Sequence, residues 1–544
     1  MTLQYQNLHD ILVHLNSCGT KHFVVCPGSR NAPIINLLSS IKGCILYNHI
    51  DERSAAYFAL GIAKKVHQPV AVVCTSGTAA LNLAPAMAEA YYQNICLVAI
   101  TADRPKGSEN SFEAQSINQQ KIFNNFVAAQ LDIELNQKWE LPFKRNISRK
   151  TKEALERSLP IHVNLRLSEP LYDFDYETPT EKQSGIFSKE SWINFSNKHK
   201  KDSLSNKVLA KLKSAKRPLV FLGFDVCKDP INSETYDFPI LADACSPNYL
   251  SGNIFCFDFF MNDKANNTAL SPDVLITTGT YMLSKNLRNW LKANPPLYHL
   301  HIGSQTNYIS PFTSDFEIIN CHLNEVLEVL GKRQHSSFNS SWQNLERSSK
   351  QSLILKSENL KSEFNRVLAT LLNKSENSIL HCGNSMSVRY GSLFQSIYAK
   401  FTYLIANRGT SGIDGCLSTF LGYALNSSKR EWLVIGDISF FYDCNAFWIK
   451  PIPLNFVIVV INNQGGQIFD IIHGPEKMSD AKKFITTPHL KSVMHIAQMH
   501  NIKYNSIQKQ EQINDIDFNT EQGQIIEIFD INPQTVVDFR NLFP

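Results

Sequence analysis

Two turns in the last third of the chain carry the residue types that hold a hard cation against phosphate. An apolar run, Leu433-Val434-Ile435, ends in Gly436-Asp437. A second run, from Phe456 to Ile461, ends in Asn462-Asn463-Gln464-Gly465-Gly466, which places Asn463 26 positions after Asp437. Both runs read as strands, and the interval suits one crossover helix, so a carboxylate and an amide stand at the ends of adjacent parallel strands. Magnesium keeps octahedral oxygen geometry and is usually bound by one or two carboxylates together with substrate phosphates. Gly-Asp and Asn-Gln-Gly-Gly are each ordinary turn sequences. Their pairing at this spacing is what points to a magnesium diphosphate clamp.

Two further groups lie near the start of the chain. Cys26-Pro27-Gly28-Ser29-Arg30 follows the apolar run Phe23-Val24-Val25, at the carboxyl end of a strand, where open α/β sheets place ligand contacts. Asp51-Glu52-Arg53 precedes an Ala-rich helix predicted over 54–63. Taken alone, those acids would do no more than favour the positive end of the helix.

The elements that must position these groups alternate in a β-α-β rhythm, which predicts parallel sheets. Up to about residue 175, strands are expected at 23–26, 70–74 and 95–100, with a helix from Thr78 to Tyr92. A polar stretch over about 176–205, including Lys198-His199-Lys200-Lys201, reads as a linker. A second α/β unit begins at Pro218-Leu219-Val220-Phe221-Leu222-Gly223, has strands at 274–276 and 297–302, and fades into Lys332-Arg333-Gln334-His335-Ser336-Ser337. The third repeats the plan of the first, with turns near 383 and 409 before the clamp. The expected organisation is an α/β chain of three domains, 1–180, 205–332 and 355–544, whose outer two are diverged copies of one design.

Composition narrows the class. A chain of 544 residues is too long for one core, and a hydrophobic content of 43% is enough to fill several. A formal net charge of +4 with scattered basic residues gives no reason to expect nucleic acid. No run of 18 apolar residues and no basic-then-apolar leader occurs, so no membrane span is expected and the cytoplasm is the expected location. The twelve cysteines form no CxxC pair and read as reduced packing residues. Neither a Gly-x-Gly-x-x-Gly after a strand nor a Gly-Lys-Ser/Thr phosphate loop is present.

The clamp resembles the thiamine-diphosphate signature. Six segments together resemble one family of such enzymes: Cys26-Pro27-Gly28-Ser29-Arg30-Asn31-Ala32-Pro33, Asp51-Glu52-Arg53-Ser54-Ala55, Cys74-Thr75-Ser76-Gly77-Thr78-Ala79, Thr101-Ala102-Asp103-Arg104-Pro105, Asn407-Arg408-Gly409-Thr410-Ser411-Gly412-Ile413-Asp414-Gly415 and Asn463-Gln464-Gly465-Gly466-Gln467-Ile468-Phe469. That family is 2-succinyl-5-enolpyruvyl-6-hydroxy-3-cyclohexene-1-carboxylate synthase, of menaquinone biosynthesis. The motifs lie in both outer domains; the middle one resembles the family loosely.

The resemblance implies a three-domain fold with pyrimidine-binding, central and diphosphate-binding domains, and decarboxylation of 2-oxoglutarate followed by addition of the succinyl unit to isochorismate. It implies thiamine diphosphate with Mg²⁺ or Mn²⁺ on Asp437, Asn463 and the Gly465 carbonyl, with Gly436 and Ile468 beside the cofactor and Ile413 wedged beneath it. Glu52 matches the carboxyl that hydrogen-bonds the aminopyrimidine and so activates the thiazolium carbon. An apolar pocket would raise the pKa of that carboxyl. Both substrates are dianions, and arginine grips a carboxylate with two parallel hydrogen bonds. The matching positions are Arg30, Arg104, Arg389 and Arg408, with Lys285, Ser29, Gln115, Ser385 and Phe469. The family binds its cofactor across two subunits, so a homodimer, or a homotetramer built from dimers, is implied.

Two departures stand out. The family reads Gly-Ala-Asn-Gln where this chain has Phe112-Glu113-Ala114-Gln115, and some members read Lys-Arg where it has Lys285-Asn286. Each lost polar contact to a buried carboxylate would cost about 1–3 kcal/mol unless replaced. Two other readings therefore stand alongside. A carboligase acting on another 2-oxo acid such as pyruvate would need fewer cations than four arginines and a lysine. A non-catalytic thiamine-diphosphate-binding scaffold would have no use for Glu52.

Overall fold

A computed structural model describes residues 2–109, 113–172, 202–224, 231, 235–247, 252–261, 268–280, 282–303, 308–331, 337–374, 378–398, 401–471, 474–518, 520, 522–530 and 532–542. The 176–205 linker lies outside the described residues except for its last four positions, as do Phe112 and nearly all of the Lys332–Ser337 stretch. The chain forms two compact units. One comprises Met1–Lys198, Asn407–Ser428 and Tyr442–Asn455; the other comprises His199–Ala406, Lys429–Phe441 and Phe456–Pro544.

In the first unit β1 (His22–Val25), β2 (Ile45–Asn48), β3 (Val70–Cys74), β4 (Leu97–Asp103), β5 (Ala129–Glu134) and β6 (Ile161–Arg166) form a parallel sheet in the order β2-β1-β3-β4-β6-β5. The chain passes from β1 to β2 on one side and then crosses to β3 on the other, so the crevice between the ends of β1 and β3 is the switch point where such sheets take ligands. Strands β3, β4 and β6 are buried at every residue, as expected for parallel strands covered by helices on both faces.

The second unit holds two parallel sheets. Its first contains β7 (Pro218–Leu222), β8 (Ile240–Ala242), β9 (Val274–Thr278), β10 (Tyr298–Ile302) and β11 (Asp315–Ile319), ordered β11-β10-β9-β7-β8. Its second contains β12 (Leu380–Cys382), β13 (Leu404–Ile405), β14 (Glu431–Gly436), β15 (Phe456–Asn462), β16 (Lys503–Ile507) and β17 (Gln524–Phe529), ordered β13-β12-β14-β15-β17-β16. One apolar core runs through both sheets. Taken in chain order, this last sheet has the same strand sequence as the sheet of the first unit, so the repeat anticipated between the outer parts of the chain exists at the level of topology.

The helix expected from Thr78 to Tyr92 is two helices, Thr78–Asn82 and Ala84–Gln93. Pro85 supplies the reason. It has no N–H, its ring collides with the carbonyl four residues back, and it is tolerated only in a first turn. The helix expected over 54–63 is longer, Glu52–Val66, and is capped by Asp51, whose carboxylate accepts the Ser54 N–H at 3.1 Å. Among the described residues the cysteines are free, and no helix is long and apolar enough to cross a membrane.

Candidate functional site

The clamp residues meet in the second unit. Strands β14 and β15 pair from Glu431 with Phe456 to Gly436 with Ile461, so Asp437 and Asn463 emerge from the same edge of the sheet. Asp437 is buried. Its carboxylate accepts the Gly465 N–H at 3.2 Å and the Ile438 N–H at 2.7 Å, and His489 Nε2 lies 3.2 Å away. Burial pushes its pKa up to about 6 against the pull of those amides and of His489. Asn463 donates its amide to Gln467 Oε1 at 3.2 Å, while its Oδ1 is buried and accepts no hydrogen bond. Gly465 has φ +153°, and a Cβ there would stand 2.8 Å from the Thr486 carbonyl, so only glycine fits. A Cβ on Gly436 would meet nothing within 4 Å. A cleft of about 650 Å³ has Asn463, Gln467, Lys482, His489 and Arg540 among its walls. Ile468 and Phe469 begin the short helix Ile468–Ile471 that follows.

Three more expected site residues lie in the same unit. Ser385 occupies a left-handed turn, φ 72°, after β12, and Arg389, on helix Met386–Tyr398, donates to its carbonyl at 2.6 Å. Lys285 is exposed at the start of helix Lys285–Ala293. Beside it, Asn286 donates its amide to the Asp258 carbonyl at 3.0 Å. Asn286 is therefore a pin between two helices. The Asp258 carboxylate is raised by burial and lowered by the Ser284 hydroxyl and by the charge of Arg389, which links Arg389 to the helix headed by Lys285.

In the first unit the expected residues gather at the carboxyl ends of the strands. Glu52 is half-buried, with Asn82 Nδ2 3.4 Å from its Oε2. The thiol of Cys26 is raised by burial first, then by Cys74 and by the Glu52 carboxylate, which places Glu52 by the switch point between β1 and β3. Ser29 is exposed there, whereas Arg30 is buried, donating to the Leu167 carbonyl at 2.8 Å and pairing with Glu169 at 3.0 Å. Arg104 follows β4, donates to the Ala114 carbonyl at 2.7 Å and pairs with Glu113. Gln115, exposed at φ 56°, packs its backbone against Gly77, where a Cβ would come within 3.2 Å of it. Arg408 and Ile413 are half-buried on the loop before helix Cys416–Leu425.

Sequence reasoning missed what holds that loop. Buried Glu89 accepts the N–H groups of Gly409 at 2.8 Å and Thr410 at 2.7 Å, and the Tyr57 hydroxyl donates to Asp414 at 2.8 Å. A lone acid in Ala84-Pro85-Ala86-Met87-Ala88-Glu89-Ala90 was the available signal. His489, which faces Asp437, had none.

Residues 7–125 match the model of the thiamine pyrophosphate enzyme N-terminal TPP binding domain. Over 524 residues the chain is 32% identical to 2-succinyl-5-enolpyruvyl-6-hydroxy-3-cyclohexene-1-carboxylate synthase of Bacteroides thetaiotaomicron, covering 93% of this chain and 92% of that protein. Proteins of the same name from Christiangramia forsetii and Flavobacterium psychrophilum are each 32% identical, covering 96% and 98% of both chains respectively. The chain belongs to this synthase family. Membership in the synthase family makes it a thiamine-diphosphate enzyme of three-domain α/β fold. The parallel sheets and the donors at their carboxyl ends fit that cofactor. So does the orphaned Asn463 oxygen, because a buried acceptor left without a donor costs about 1–3 kcal/mol unless something binds it.

Proposed function

We propose that the chain is a transferase that decarboxylates 2-oxoglutarate with thiamine diphosphate and adds the succinyl unit to isochorismate, giving 2-succinyl-5-enolpyruvyl-6-hydroxy-3-cyclohexene-1-carboxylate for menaquinone. The observation that carries this reading is 32% identity over more than nine-tenths of the chain to relatives named for that product.

Thiamine diphosphate supplies, when bound, the carbon nucleophile and electron sink that loss of CO₂ from a 2-oxo acid requires. The chain's own residues do the rest. Asp437, Asn463 Oδ1 and the Gly465 carbonyl would hold Mg²⁺, or Mn²⁺, against the diphosphate, and support comes from the buried carboxylate and the partnerless amide oxygen beside it. Gly436 leaves room for the cofactor, while Ile413, Ile468 and Phe469 shape its surroundings and the substrate's. Glu52 gives a hydrogen bond to the aminopyrimidine. Arg30, Arg104, Arg389, Arg408 and Lys285 bind carboxylates, which Ser29, Gln115 and Ser385 orient. Residues 1–180, 205–332 and 355–544 serve as pyrimidine-binding, central and diphosphate-binding domains of a cytoplasmic homo-oligomer whose sites form between subunits.

The test is isochorismate consumption by the purified protein with thiamine diphosphate, Mg²⁺ and 2-oxoglutarate, omitting each in turn and weighing the product. Consumption that needs all of them, with gain of a succinyl unit, is expected. Faster reaction with pyruvate, or CO₂ release without addition, would overturn the substrate assignment.

A further inference from the structure

The structure gives the acid at position 113 a place. Glu113 forms an ion pair with Arg104, its side chain half-exposed while that of Arg104 is more covered. The other contacts of Arg104 are internal. One nitrogen donates to the Ala114 carbonyl at 2.7 Å, and Nε is buried without a hydrogen bond. The main chain around the pair is fixed as well. Buried Arg166 donates to the Arg104 carbonyl at 3.1 Å and pairs with Glu109 of the same loop at 2.9 Å. The Arg104 N–H donates to Asp103 at 2.8 Å. The only carboxylate on Arg104 is therefore one that water can reach and a competitor can displace, among the described residues.

We propose that Glu113 is a built-in competitor, a side-chain carboxylate that occupies Arg104 in the free enzyme and yields it to a substrate carboxylate. This rests on the functional reading above, in which Arg104 grips a dianion. The Coulomb energy of an arginine with a substrate carboxylate is then partly offset by loss of the pair already made. Glu113 thus sets the affinity of a ligand that engages Arg104, without touching the reacting atoms.

Glu113→Gln keeps the shape and removes the charge. Its KM for at least one of the two dianionic substrates is expected to fall about two- to fivefold, the worth of a partly exposed ion pair, while kcat changes less. In the substrate-free protein, phenylglyoxal followed by peptide mass mapping should label Arg104 faster in Glu113→Gln than in wild type. Equal labelling would deny the ion pair. Faster labelling with both KM values unchanged or raised would deny the competition while leaving the family activity intact. A wild-type protein that forms no product from isochorismate would instead overturn the functional reading itself.

Discussion

Glu52 shows how far a residue type is defined by its neighbours. On an isolated helix it would be a first-turn acid. Here it stands half-buried by Cys26 and Cys74 at the switch point of a parallel sheet. Glu52→Gln should lower turnover at least about 100-fold, the usual scale for a positioned proton donor. Thiamine diphosphate affinity, read by titration, should stay within a few-fold, because the amide fills the same space. Undiminished turnover would remove the assigned role. Asp437→Ala should raise the Mg²⁺ concentration needed for half-activation by at least about tenfold, since metal sites respond on that scale to altered ligand shells; a wild-type activation curve would count against the clamp. That the turns carrying Asp437 and Asn463 come together was legible because type and spacing lie within one crossover. The partners of the arginines were not. Glu169 is 139 residues from Arg30, and only the fold brings such a pair together.

At the scale of elements, helices Glu52–Val66 and Cys416–Leu425 touch so closely that a Cβ on Gly61 would lie 2.0 Å from the Thr419 carbonyl, and one on Gly422 2.0 Å from the Phe58 carbonyl. Asp443 joins the pair. Fully buried, it accepts the Ser418 N–H at 2.7 Å, the Ser418 hydroxyl at 2.8 Å and the Ser54 hydroxyl at 3.3 Å. Burial pushes its pKa up from 3.8 to about 6 against the pull of Ser418 and Arg53. A carboxyl raised on folding contributes stability that is full below its unfolded pKa and is lost as pH rises through the folded one. The stability advantage of wild type over Asp443→Asn, which does not titrate, should therefore be larger at pH 4.5 than at pH 7. Thermal unfolding of both proteins at the two pH values checks this, and an equal difference would contradict it. The continuous apolar runs of β3, β14 and β15 made these strands readable. Strand β13, two residues long, and β16, with one buried position, carry no such pattern, and the break before Pro85 was written in the sequence but outweighed by the alanines around it.

At the scale of the molecule, two six-stranded sheets share one strand order, and each carries expected site residues at its carboxyl edge. Glu52 belongs to the first unit, Asp437 and Asn463 to the second. The family resemblance implies that each cofactor takes its pyrimidine contacts from one subunit and its diphosphate contacts from another. That arrangement has a consequence no single-chain site shares. Glu52→Gln and Asp437→Ala are each expected to be nearly inactive as pure proteins. In a mixed dimer, one site would combine the intact Glu52 of one chain with the intact Asp437 of the other, and the second site would carry both lesions. Random pairing at equal expression makes half the dimers mixed, each with one working site, so about a quarter of wild-type activity should return. The measurement is turnover of the two variants co-expressed with different affinity tags and purified through both, where the mixed dimer alone should approach half. Activity no higher than that of the separate variants would place Glu52 and Asp437 in the same site of the same chain and exclude the shared arrangement.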